Sequence, residues 1–167
     1  CIKSSIKALE MAMRYNTRLV LCHISTKEEI EMVRAAKGIN PDITAETSCN
    51  YLWFCNEDYQ RAGSLVKCNP SVKTADDRQA LRNAVADGII DTIGSDHAPH
   101  LLSEKEGNYL KAPSGLPSIQ QSLPVLITIA AEEGIPLTIR AAIDSMYGLH
   151  KYYLKKIRHL SYEDSVK

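Results

Sequence analysis

The sequence predicts an α/β fold built on parallel strands, and two observations predict it. First, short β-type apolar runs alternate with helical stretches: "RLVLC" (18–22) precedes "STKEEIEMVRAAKG" (25–38), "DITAETS" (42–48) comes next, and "ADDRQALRNAVAD" (75–87) precedes "GIIDTIGS" (88–95). Strands interleaved with helices favour a parallel sheet with both faces covered. Second, two of these runs end on chemistry-bearing residues, His23 and Asp96. In a (β/α)8 barrel the reactive groups sit at the C-terminal ends of strands. Three strands do not close such a barrel, so part of one is the expectation, with His23 and Asp96 facing each other at the ends of parallel strands.

Taken in order, the first element is a helix in "CIKSSIKALEMAMRY", with an apolar stripe through Ile6, Leu9 and Met13. The chain has no initiator Met or signal-type apolar region here and reads as the middle of an amphipathic helix, so it is expected to be a piece of something larger. After the strand at 18–22, Ser25 or Thr26 offers an N-cap and Gly38 a stop, and Glu28, Glu29 and Glu31 are expected on a solvated face near the positive helix start. Residues 49–74 are too long for a plain connection and are expected to be functional. Tyr51, Trp53 and Phe54 within them read as packing rather than as a stacking platform. A loop at 101–118 leads to a long helix through 120–133 and a further helix within 136–148.

Composition narrows the function classes. The chain has 167 residues and is 44% apolar, enough for one compact domain. Twenty basic against twenty acidic residues lack the footprint of a nucleic-acid binder. The longest apolar run, "LPVLITIAA", falls far short of the roughly 20 residues that cross a bilayer. The five cysteines, Cys1, Cys22, Cys49, Cys55 and Cys68, form no CxxC pair and no even ladder, which reads as reduced, buried thiols of a cytoplasmic protein. Cys49 and Cys55 are wrongly spaced for a cysteine zinc site.

The stretch "DTIGSDHAPH" (91–100) resembles the signature of dihydroorotases in the cyclic-amidohydrolase group of the amidohydrolase superfamily. "LVLCHIST" is similar to their His-bearing strand, "KCNPSVK" to their Asn-Pro substrate loop, and "SGLPSIQQSLP" to the loop and helix after the last barrel strand. The matches keep the family's order from about residue 15 to about residue 145, and several separated motifs in order are specific. The resemblance implies the C-terminal half of a (β/α)8 TIM barrel over residues 1–147, with 148–167 an atypical tail. It also implies a metal-dependent enzyme that interconverts N-carbamoyl-L-aspartate and L-dihydroorotate in pyrimidine synthesis. The complete enzyme would be a cytoplasmic homo-oligomer acting on a small molecule with one or two divalent ions, usually zinc, that lower the pKa of a bound water.

Carried over by position, His23 matches a metal ligand. Asp96 matches the carboxylate that touches metal and nucleophile and passes the proton to the leaving nitrogen. His100 matches a residue that binds the substrate's carboxylate, Asn69 one that helps hold the same substrate, and the backbone near Gly115 and Pro117 is placed to meet the ring amide. Each has a plainer competitor. His23 alone reads as a strand-end histidine bonded to a carbonyl, Asp96 as a turn cap, and Asn69 before Pro70 as turn chemistry. His97 reads as packing or as orienting Asp96.

The chain also departs from the family. "ETSCNYLW" stands where many relatives carry Glu-Thr-x-Pro-His-His, so Asn50 and Tyr51 replace two imidazoles, and no His-x-His pair occurs. After "SMYGLH" the usual Asn-Pro-Ala helix gives way to "KYYLKKIRHLSYEDSVK". Two function classes follow: part of a dihydroorotase-like hydrolase, with hydantoinase and allantoinase as sister readings, or a non-catalytic amidohydrolase-like subunit. This chain alone is expected to be incomplete and inactive.

Overall fold

The structure, a computed structural model, describes residues 1–133; the helix expected at 136–148 and the tail lie outside them. The three strands β1 (Leu19–Leu21), β2 (Ile43–Ser48) and β3 (Thr92–Gly94) form a parallel sheet in the order β1-β2-β3. Leu21 pairs with Ala45, and Glu46 pairs with Thr92, so β1 uses the first half of β2 and β3 the second. The alternation of β2 is physical: Ile43 and Ala45 are buried, while Thr44 and Glu46 face the other way and are half-buried. One face of the sheet therefore carries the helix-packed core, and the opposite face carries polar residues beside an exposed Val20. This corrects the expectation of two covered faces among the described residues.

β3 is also shorter than the run 88–95. The N–H groups of Ile89 and Ile90 both donate to the carbonyl of Ala84, so these residues close the preceding helix, and Gly88 turns the chain at φ 72°. The polypeptide joins the sheet only at Asp91, whose N–H donates to the carbonyl of Ala45.

Helices α1 (Ile2–Tyr15), α2 (Lys27–Lys37) and α5 (Ala75–Ala86) supply the core with Leu9, Ile30, Val33, Leu81 and Val85, packed on Leu21, Ile24 and Ile43. On α1, Leu9 is buried as expected and Met13 partly so, whereas Ile6 is exposed; Ala12 completes the inner face instead. Thr26 caps α2 by accepting from the Glu29 N–H. Glu29 itself corrects the solvated-face reading, since it is 3% exposed. Its carboxylate accepts from Ser5 Oγ at 2.6 Å, from Thr26 Oγ1 at 3.3 Å and from the Ser25 N–H at 3.2 Å, which pins α1 to the turn after β1. A buried carboxylate persists when several donors replace its water.

The connection 49–74 contains α3 (Cys49–Trp53), α4 (Asp58–Ala62) and a 3-10 turn, Gly63–Val66. Arg82 Nε and Arg78 Nη1 of α5 donate to the carbonyls of Leu52 and Trp53, closing the C-terminal end of α3. Tyr51 is buried and Trp53 and Phe54 are partly buried against the core, in line with packing roles. The chain then runs through α6 (Leu102–Lys105) to α7 (Ser122–Glu133), where Arg82 and Glu133 form an ion pair. Cys49, Cys55 and Cys68 are buried, but Cys1 and Cys22 are exposed, since one sits at the chain start and the other on the uncovered side of the sheet; all five are free thiols. No helix among the described residues is long and apolar enough to cross a membrane.

Candidate active site

Two symmetric departures from the sheet build the site. His23 lies two residues beyond the end of β1, and Asp96 two residues beyond the end of β3. Both have a left-handed backbone, with φ 60° at His23 and 46° at Asp96. Among non-glycine residues, Asn, Asp and His are the types enriched in that region. β1 and β3 flank β2, so their axes are separated by roughly 9.5 Å, twice the strand spacing. The two turns nevertheless swing the side chains together across the end of β2, and His23 Nε2 lies 3.5 Å from Asp96 Oδ1. The β1 alignment continues beneath His23 through Ile24, whose N–H donates to the Glu46 carbonyl and whose carbonyl accepts from Thr47 Oγ1.

The pair fits a shared divalent cation. In a tetrahedral site with bonds of about 2.0–2.2 Å, neighbouring donor atoms are roughly 3.4 Å apart, and imidazole nitrogen with carboxylate oxygen is a common donor set. Two donors are fewer than a closed site needs, and no group of three or more His, Cys, Asp or Glu side chains able to hold a metal occurs among the described residues.

Glu46, two residues before the end of β2, was not singled out from the sequence; a lone acid in an otherwise short-chain strand is the signal it offered. Thr92 Oγ1 donates to Glu46 Oε2 at 3.0 Å, and a Cβ on Gly94 would stand 2.8 Å from Glu46 Oε1. Glycine at 94 is what lets the carboxylate lie flat against β3. Burial, reinforced by the Glu46 charge, pushes the Cys22 thiol up.

Tyr51 and Cys68 stand close enough to Asp96 to feel its charge. Tyr51 Oη donates to the Pro70 carbonyl at 2.8 Å, and Cys68 Sγ reaches the same oxygen at 3.1 Å. Burial pushes the Tyr51 hydroxyl up, with the Cys68 and Asp96 charges adding to it, and the Cys68 thiol is raised by burial and by Asp96. Asn69, next to these groups, is exposed and precedes Pro70 through a cis peptide. Asn50 does not face the pair as a replacement ligand: its Oδ1 accepts from Ser118 Oγ at 2.8 Å in the interior.

The segment after β3 brings the remaining residues together. His100 Nε2 lies 3.1 Å from the Ser114 carbonyl, and its Nδ1 lies 4.0 Å from Glu104. Gly115 is buried against the same loop; its N–H donates to the Lys67 carbonyl at 2.9 Å and its carbonyl accepts from Lys105 Nζ at 2.9 Å. Both of its backbone groups thus have internal partners. Pro117 is exposed beside it. His97 accepts from the Ile119 N–H at 3.2 Å and bridges to Leu116, so it ties the two loops together.

No family model matches the chain. It is 39% identical over 124 residues to a dihydroorotase of Anoxybacillus flavithermus, covering 74% of this chain and 29% of that one. It is 34% identical over 145 residues to a dihydroorotase of Methanosarcina acetivorans, covering 83% of this chain and 31% of the relative. Among solved structures it is similar to the L-hydantoinase (dihydropyrimidinase) of Arthrobacter aurescens, with a TM-score of 0.75 and 29% identity over 79% of this chain and 30% of that one. The chain therefore spans about 30% of the length of the proteins it matches. Sequence and shape agree on one group, and the chain belongs to the dihydroorotase-like cyclic amidohydrolases.

Proposed function

We propose that this chain forms the C-terminal half of a (β/α)8 barrel, with residues 1–147 in the barrel and 148–167 an atypical tail. The complete protein would interconvert L-dihydroorotate and N-carbamoyl-L-aspartate. The observation that carries this reading is the meeting of His23 Nε2 and Asp96 Oδ1 at 3.5 Å from two strand ends that are not neighbours in the sheet. Similarity to dihydroorotases at 34–40% identity supports the choice of ring. The five free thiols fit a reducing compartment, and a cytoplasmic homo-oligomer is part of the same reading.

His23 and Asp96 would hold zinc together with ligands from outside the described residues. When bound, the metal supplies Lewis acidity and lowers the pKa of water to about 7. Asp96 takes the proton from the attacking water as the water adds to the ring carbonyl, then delivers it to the ring nitrogen as the C–N bond breaks. His100 holds the substrate's carboxylate, Asn69 helps hold the same substrate, and the backbone near Gly115 and Pro117 lines the ring amide. With Nε2 turned to the Ser114 carbonyl, Nδ1 is the ring nitrogen of His100 left to face the carboxylate, and Nδ1 donates to it only when the ring carries both protons.

The test is turnover by the complete protein, with bound metal measured in the same preparation. Hydrolysis of L-dihydroorotate well above that of hydantoin and allantoin, with one or two zinc ions per protomer, is the expected result. Metal-loaded protein that turns over none of these rings would remove the enzymatic reading in favour of a non-catalytic subunit. The likeness to L-hydantoinase at 29% identity favours a second reading, hydantoin-type rings, and a preference for hydantoin would select it. Within the first reading, His100→Ala should raise KM about 10- to 150-fold with metal content kept, the range set by a lost charged hydrogen bond of about 1.5–3 kcal/mol. A His100→Ala protein that loses metal but keeps its KM would move the residue from the substrate to the ligand set.

A further inference from the structure

Lys105, at the end of α6, has no part in the chemistry above, yet it is only 5% exposed. Its Nζ donates to three backbone carbonyls: Lys67 at 3.0 Å, Pro113 at 3.0 Å and Gly115 at 2.9 Å. An ammonium has three N–H donors, so this geometry engages all of them. A buried lysine is rare and persists only when its protons are bonded. Here the partners are carbonyls from two separate loops, and each marks a segment that carries a candidate substrate contact. Lys67 lies two residues before Asn69. Pro113 and Gly115 flank Ser114, whose carbonyl meets His100. The Lys67 carbonyl also accepts from the Gly115 N–H, so the two loops meet at one oxygen.

The base of the lysine is held as firmly as its tip. Its N–H donates to the Leu101 carbonyl at 3.2 Å, and its carbonyl accepts from Ser64 Oγ. Burial pulls the ammonium below its ordinary value, with Cys68 opposing and Lys67 adding to the effect.

We propose that Lys105 is the positioning residue of the substrate-binding face, gathering the segments of Asn69, His100 and Gly115 onto one ammonium. The proposal rests on the cyclic amide hydrolase reading given above. It differs from a catalytic role, because Nζ is saturated by the protein and touches no reacting atom. Its loss should therefore act on binding more than on chemistry.

The experiment uses the complete, zinc-loaded protein with L-dihydroorotate as probe. Lys105→Met keeps an unbranched side chain, one atom shorter, and removes the donors. It is expected to raise KM on the order of 10- to 100-fold, the effect of misplacing contacts by about 1 Å, while kcat stays within about threefold and bound metal is unchanged. Hydrogen exchange at the Gly115 amide should become faster. Lys105→Arg, which keeps charge and donors, should recover part of the KM. Unchanged KM and exchange in Lys105→Met would overturn the proposal. So would loss of kcat and metal at constant KM, or an arginine variant no better than the methionine one. Should Lys105→Met fail to fold, Lys105→Gln retains an amide donor, and its KM decides by the same criterion. A wild-type protein inactive on dihydroorotate would instead refute the functional reading, and Gly115 exchange would still decide whether Lys105 holds the loops.

Discussion

Asp96→Ala in the complete protein is expected to remove turnover, by about 10²- to 10⁴-fold, the range typical of a positioned general acid and base. That corresponds to about 3–5 kcal/mol of transition-state stabilisation. The alanine variant alone mixes two effects, since Asp96 sits at φ 46° and an alanine there adds about 1–2 kcal/mol of backbone strain. Asp96→Asn separates them, because asparagine tolerates the left-handed region and keeps the shape of the side chain. The asparagine variant should retain its melting temperature and lose turnover nearly as far as the alanine variant does. Rates, melting temperature and metal content measured on both variants check the prediction. Near-normal kcat in Asp96→Asn would take the proton-transfer role away from Asp96.

Gly115→Ala is the second large effect. A Cβ at 115 would stand 2.5 Å from the Ala98 carbonyl oxygen, 2.6 Å from Ala98 Cβ and 3.1 Å from His100 Nε2, on a backbone at φ 140°. Two of those neighbours belong to backbone or to a β-carbon and cannot rotate away. The loop of Ala98 and His100 has to shift, and KM for dihydroorotate should rise on the order of 100-fold. Stability should fall by about 1–3 kcal/mol. Gly107→Ala is the control, since Gly107 has φ 89° with nothing within 4 Å of its would-be Cβ. That variant should show the backbone strain alone, with KM unchanged. Equal kinetics in the two variants would mean that the contact between Gly115 and His100 plays no part in binding substrate.

The strands and the main helices were legible because each signal is local. Apolar runs such as "RLVLC" mark strands, and Thr26 marks a helix start by accepting from the residue three places on. His23 and Asp96 were legible for a related reason, since a polar residue ending an apolar strand is visible without knowing its partner. What could not be read depends on contacts distant in sequence. The burial of Glu29 needs Ser5, 24 residues away, and the burial of Lys105 needs Lys67, 38 residues away. Glu29 sits in a helical stretch and Lys105 in one that reads as a loop, and exposure is the ordinary outcome for a charge in either. The shortness of β3 was hidden by composition, since Ile89 and Ile90 suit a strand in every respect except that their N–H groups close a helix.

The left-handed turns at His23 and Asp96 also bear on how such a protein can drift. An aspartate codon becomes an asparagine codon by a single base change, and asparagine is at home on the backbone that residue 96 requires. The folded shape then exerts almost no selection against that mutation, and under the role proposed for Asp96 only the demand for catalysis does. In a lineage where another gene meets that demand, the chain can become an inactive scaffold in one step, with every helix and strand intact.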